Sequence, residues 1–183
     1  MRQCVRVLRG SLILFLVLGV VLVRPAFAAA DQEDDEVGRD AKSWREAAVE
    51  MPAAPKPANL LPFYVSASTE NRFFVDGASV VLGADGVVRY VLVVEAVGGA
   101  RNVSFEGMRC ETRERRVYAS GRADGSWSRS RNEDWQRIRD VPANRQHTAL
   151  YYDYFCPAGS IVRSADEALD ALRRGGHPAD RRW

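Results

Sequence analysis

The side chains with the most chemical reach in this 183-residue chain are two histidines, three cysteines, and carboxylates set among many arginines. His147 and His177 lie far apart, and neither has a second histidine three or four positions away, so the ligand spacing of a zinc or haem site is missing. The carboxylates of residues 31–36 lack the glycine-turned loop of a calcium site. No metal ligands and no cofactor are assigned. Nucleophile elbow, P-loop and dinucleotide fingerprints are also missing, and Gly98-Gly99 reads as a turn rather than a phosphate cradle. Asp153, between Tyr152 and Tyr154, is the carboxylate best placed for acid/base work. On strand alternation it shares a face with Tyr151 and Phe155, where an aspartate more often accepts hydrogen bonds from main chain or arginine. No catalytic residue follows from it.

The arginines are the other suggestive feature. Residues 109–145 hold ten arginines against six acidic residues, interleaved with Trp127 and Trp135, whereas residues 29–60 hold eight acidic against four basic. Such an asymmetry suits an anionic glycan or lipid headgroup, and it equally suits seating the chain's own acidic segment. Lys42 and Lys56 are the only lysines, so arginine serves as the general cation of this chain.

The elements that position these groups begin with a leader. Residues 1–9 are short and positive, residues 11–23 are apolar apart from Ser11 and Gly19, and Ala26-Phe27-Ala28 places small residues where a signal peptidase looks. Residues 1–28 read as a secretory signal cleaved after Ala28. As a helix the apolar stretch reaches about 20 Å, short of a hydrocarbon core of about 30 Å, so no permanent membrane span is expected after cleavage. Without the leader's four arginines, 22 basic residues face 24 acidic ones, and the strongly basic surface that nucleic acid binding needs is missing.

Cleavage leaves two cysteines, Cys110 and Cys156. In an exported domain the economical reading is a disulfide, worth about 4 kcal/mol for a loop of this length. A reactive thiol pair is the alternative, and the chain has no CxxC spacing to favour it.

Residues 29–62 read as an arm, acidic and then proline-rich, with a short helix around residues 40–50 and Trp44 as a possible anchor. Residues 63–183 read as one α+β domain. Alternation predicts strands at 63–67, 73–75, 80–82, 87–97, 102–110 and 117–121, with turns at Ala84-Asp85-Gly86, Gly98-Gly99 and Asp124-Gly125. Residues 87–97 are apolar on both faces, the mark of a central strand. Ser130 with Glu133 has capping-box spacing and predicts a short helix through Trp135 and Ile138. Residues 147–156 read as an aromatic strand. Ser164 with Glu167, then Ala168, Leu169 and Leu172, then Gly175-Gly176, predict the terminal helix. The fold class is an antiparallel sheet of about five to seven strands with a packed C-terminal helix and one disulfide.

The runs VVLGADGVVRYVLVVE, NVSFEGMRCETRERRVYASGRADGSW, and YYDYFCPAGS followed by SADEALDALRRGG resemble the cryptic-neisserial-protein-like (CNP-like) family of exported proteins of Gram-negative bacteria. The arm segment SWREAAVEMPAAPKPANLLPF fits the same pattern. The resemblance implies an envelope location and assigns no chemistry. A weaker similarity links FFVDGASVVLGADGVVRY and GSWSRSRNEDWQRI to exported adhesin domains of the surface-adhesin protein E type, with no binding residue carried over.

The expected function is a non-enzymatic binding or assembly module of the cell envelope, periplasmic or attached to the outer membrane from the periplasmic side, whose partner is an envelope protein or an anionic glycan. Two alternatives stand beside it. A small periplasmic hydrolase would bring Asp153 or another acid together with Arg109 or Arg122 in a deep pocket. A surface adhesin would present the same domain outside the cell.

Overall fold

The computed structural model describes residues 44–180. The leader, the cleavage point after Ala28 and the acidic run at residues 31–36 lie outside them. Seven strands form one antiparallel sheet: β1 (Leu60–Pro62), β2 (Arg72–Leu82), β3 (Val87–Glu95), β4 (Arg101–Arg109), β5 (Glu114–Gly121), β6 (Trp127–Arg129) and β7 (Gln136–Arg137). They lie in chain order from β1 to β6, and β7 shares the outer edge of β5 with β6.

The hairpin read at Ala84-Asp85-Gly86 is present, with Gly86 in the left-handed region at φ 76° and Gly83 N–H bonded to the Val87 carbonyl. β3 is buried on both faces. Tyr90 and Leu92 join one apolar cluster, and Val91 and Val93 join another. Strand alternation thus splits the interior in two.

The larger cluster lies under the helices. α2 (Ala165–Arg174) packs over β1 and β2 through Ala168, Ala171 and Leu172. Its ends follow the predicted signals: Ser164 Oγ accepts from Glu167 N–H at 3.2 Å, and Gly175 closes the helix in the left-handed conformation. Ser164→Ala is expected to cost about 1 kcal/mol in chemical denaturation, against no change for a substitution at exposed Arg173.

The smaller cluster, Phe74, Val91, Val93, Phe105 and Tyr118, is covered by the arm through Val49, Met51 and Leu60. The sheet begins at Leu60, three residues before the expected boundary at Phe63.

Four local expectations are corrected. Residues 44–50 carry no regular secondary structure, so no helix forms there. Their Trp44, Glu46 and Val49 serve as separate anchors on the sheet. The strand expected at 63–67 stops at Pro62, with Phe63 N–H making one further bond to Phe73 before the chain turns away. The capping box at Ser130 caps nothing. Residues 130–135 carry no regular secondary structure, β7 then pairs with β5, and Ile138 N–H bonds the Arg113 carbonyl to bury its side chain. The segment 147–156 is helical: α1 (Arg145–Ala149) runs into a π-helical turn (Leu150–Phe155), with Cys156 N–H bonded to the Tyr151 carbonyl five residues back.

Cys110, just after β4, and Cys156, at the end of the π turn, form a disulfide with Cα atoms 5.5 Å apart. It ties the helical layer to the centre of the sheet.

Candidate functional site

The π turn contributes Tyr152, Asp153 and Tyr154 to a cleft of about 530 Å³, which opens between the loop after β1, α1, the π turn and the end of α2. Its lining includes Tyr64, Asp140, Arg145, Tyr152, Asp153 and His177. A π turn packs one extra residue into the helix, and such turns are frequent at functional sites. Tyr64 stands at the mouth with 66% of its surface exposed. Its backbone is fixed to the π turn, since Tyr64 N–H donates to Tyr154 Oη at 3.1 Å. Arg145 donates to Ser68 Oγ across the opening. His177 Nδ1 accepts from Ala179 N–H, which leaves Nε2 to donate to Glu167 Oε1 at 3.0 Å. The Arg163 backbone N–H, with His177 and the Arg163 side chain, holds the Glu167 carboxyl at about 2.

Beneath the cleft lies a charged cluster that sequence reasoning missed. Glu106, in the middle of β4, is 3% exposed and His147 of α1 is 4% exposed. Glu106 Oε2 meets His147 Nε2 at 2.8 Å and accepts from Tyr90 Oη at 3.2 Å, while Oε1 accepts from Ser104 Oγ at 2.6 Å. Burial pushes the Glu106 carboxyl up, but the charge and hydrogen bond of His147 outweigh it and hold the group at about 2. A signal was available: Glu106 has the inward parity of Met108 and pairs with Tyr90 across the sheet, so a partner for a buried carboxylate was required. Both groups are enclosed and neighbouring Thr148 lines the cleft, so the pair positions α1 rather than meeting a ligand.

The residues singled out from sequence are not brought together. Asp153 lines the cleft, on the π turn instead of a strand. Arg109 lies flat against the Trp44 ring, 3.7 Å from its centroid, with Trp135 set edge-on to Trp44. Arg122 donates to Ser126 and Ser128 in its own hairpin. Neither arginine lines the cleft of Asp153. Two arginines serve the acidic arm instead. Glu46 Oε2 accepts from Arg116 Nη1 at 2.6 Å, Glu46 Oε1 accepts from Tyr118 Oη at 2.5 Å, and Arg89 Nη2 stands 3.6 Å away. Among the described residues no group of three or more metal-ligating side chains is clustered, and no helix is long and apolar enough to cross a membrane.

An antiparallel sheet with helices on one face, an arm on the other, one internal disulfide and a polar aromatic cleft at a π turn define a small disulfide-closed α+β domain. The chain belongs to the CNP1-like family, whose sequence model matches residues 39–173. No curated protein and no solved structure matches it.

Proposed function

We propose that this CNP1-like protein is an exported envelope component, cleaved after Ala28 and resident in the periplasm, that works as a non-enzymatic binding module for an anionic glycan. The leader and the crosslink between its two remaining cysteines support export, because such bridges persist in oxidising compartments. The observation that carries the binding role is the convergence of Tyr64, Tyr152, Arg145 and His177 on one cleft of about 530 Å³. Tyrosine rings offer an apolar face to the C–H face of a sugar and a hydroxyl to its edge. An arginine fork pairs with a sugar carboxylate in two parallel hydrogen bonds.

The test has two arms. Osmotic shock should release a chain whose mass begins at Ala29, and retention with the cytoplasm would overturn the location. Titration with uronic-acid oligosaccharides should show binding that Arg145→Glu and Tyr152→Ala each weaken at least about tenfold, the loss of one charge-assisted hydrogen bond or stacked ring. Equal affinities for wild type and both variants would overturn the cleft as the site.

A further inference from the structure

The cleft at the π turn does not end at Tyr64. β1 stops at Pro62, and residues 63–71 leave the sheet before β2 begins at Arg72. Their departure opens a second cavity of about 410 Å³ between this loop and the start of β2. The two cavities share Tyr64, Val65 and Ser66, so the loop is the wall between them, and the exposed Tyr64 stands on its crest.

The wall is fixed along its length. Tyr64 N–H donates to Tyr154 Oη near one end, and Arg145 donates to Ser68 Oγ farther along. Two hydroxyl-closed turns shape the rest: Ser68 N–H donates to Ser66 Oγ at 3.2 Å, and Asn71 N–H donates to Thr69 Oγ1 at 3.3 Å. Phe63, where the loop begins, packs its ring against Phe73 and Tyr154, with centroids 5.9 and 5.7 Å away. A wall held in this way meets a ligand without first having to be ordered.

The second cavity repeats the chemistry of the first. Ser66, Thr69 and Asn71 bring hydroxyl and amide groups to it, and Arg72 brings a cation. Arg72 lies over the Phe74 ring at 5.0 Å and reaches Glu95 at 3.4 Å, with 72% of its side chain exposed. An ion pair so exposed is weak and screened by salt, so the guanidinium is free to exchange it for an incoming carboxylate. Among the described residues no carboxylate lines this cavity. One exposed tyrosine ring is thus flanked by two cations, Arg145 on one side of the crest and Arg72 on the other.

We infer that the ligand is an internal stretch of an anionic polysaccharide that crosses Tyr64 and sets sugar carboxylates against both Arg145 and Arg72. This rests on the reading of the first cleft as a glycan site. A chain of repeating acidic sugars carries the same alternation as the surface: carboxylate, apolar ring face, carboxylate. A disaccharide seated in the first cleft meets only the first cation.

Titration of the mature chain with a uronic-acid disaccharide and hexasaccharide is the test. The hexasaccharide should bind at least about tenfold tighter, the increment of one further charge-assisted hydrogen bond. Arg72→Gln should bring the hexasaccharide down close to the disaccharide and leave the disaccharide unchanged. Arg131→Gln removes the same charge from an exposed position outside both cavities and should change neither. Equal affinities for the two lengths, or a gain with length untouched by Arg72→Gln, would overturn the crossing and leave the first cleft standing. A loss from Arg131→Gln as large as that from Arg72→Gln would reduce the effect to net charge and overturn it as well. A glutamate peptide of the same charge that bound as tightly as the hexasaccharide would overturn the polysaccharide as occupant. Failure of both lengths to bind would overturn the cleft as a glycan site, and the crossing with it.

Discussion

Replacing both Cys110 and Cys156 by alanine is expected to lower the stability of the domain by about 4 kcal/mol and its thermal midpoint by roughly 12 °C. The bridge closes a loop of 46 residues, so its loss returns a large amount of chain entropy to the unfolded state. The loss is concentrated in one layer. Cys156 follows the π turn, and without the bridge α1 and the π turn are held to the sheet by packing of Leu150, Tyr151, Tyr154 and Phe155 and by the buried Glu106–His147 hydrogen bond. Calorimetry with and without reductant is the measurement: wild type should fall to the melting point of the variant, and the variant should not respond. A double variant melting within about 3 °C of the oxidised wild type would contradict the expectation.

The second large effect is at Glu106. Glu106→Ala leaves His147 and the hydroxyls of Tyr90 and Ser104 without their acceptor in an enclosed site, and should cost about 3–5 kcal/mol. The pH dependence has a definite sign. The folded-state value of about 2 lies below the ordinary 4.5, so between them the unfolded chain binds more protons than the folded one. The stabilisation is whole above about 4.5 and is lost as the pH falls toward about 2. Glu106→Gln keeps an acceptor without the charge, so it should flatten this part of the acid limb. Parallel pH profiles for wild type and Glu106→Gln, followed by urea denaturation, would remove Glu106 as the cause.

Most of the sheet was legible because its signals are local. The turn at Ala84-Asp85-Gly86, the double-sided apolar pattern of β3 and the capped stripe of α2 each sit within a dozen residues, and each sets its element. The segment 147–156 was misread although its pattern was available. His147, Leu150, Tyr151, Tyr154 and Phe155 fall at helical spacing and are the residues that face inward. Aromatic residues favour strands locally, whereas packing against the sheet decided the fold here. The cleft was illegible for a different reason. Tyr64, Arg145, Tyr152 and His177 come from four separate stretches, and only the closing of the chain brings them together. The role of the arginines was half legible: the charge asymmetry pointed to a seat for the arm, but Arg89, deep in β3, lies outside the arginine-rich stretch of residues 109–145.

The two covers flank the central strands in sequence, the arm at residues 44–62 and α2 at residues 165–174. Synthesis delivers the first before those strands and the second after them. Strands β2 to β5 can pair with one another as they emerge, yet the apolar face beneath α2 stays open to water until residues 165–174 are made. Closure of the core thereby waits on the helical layer that follows the strands along the chain.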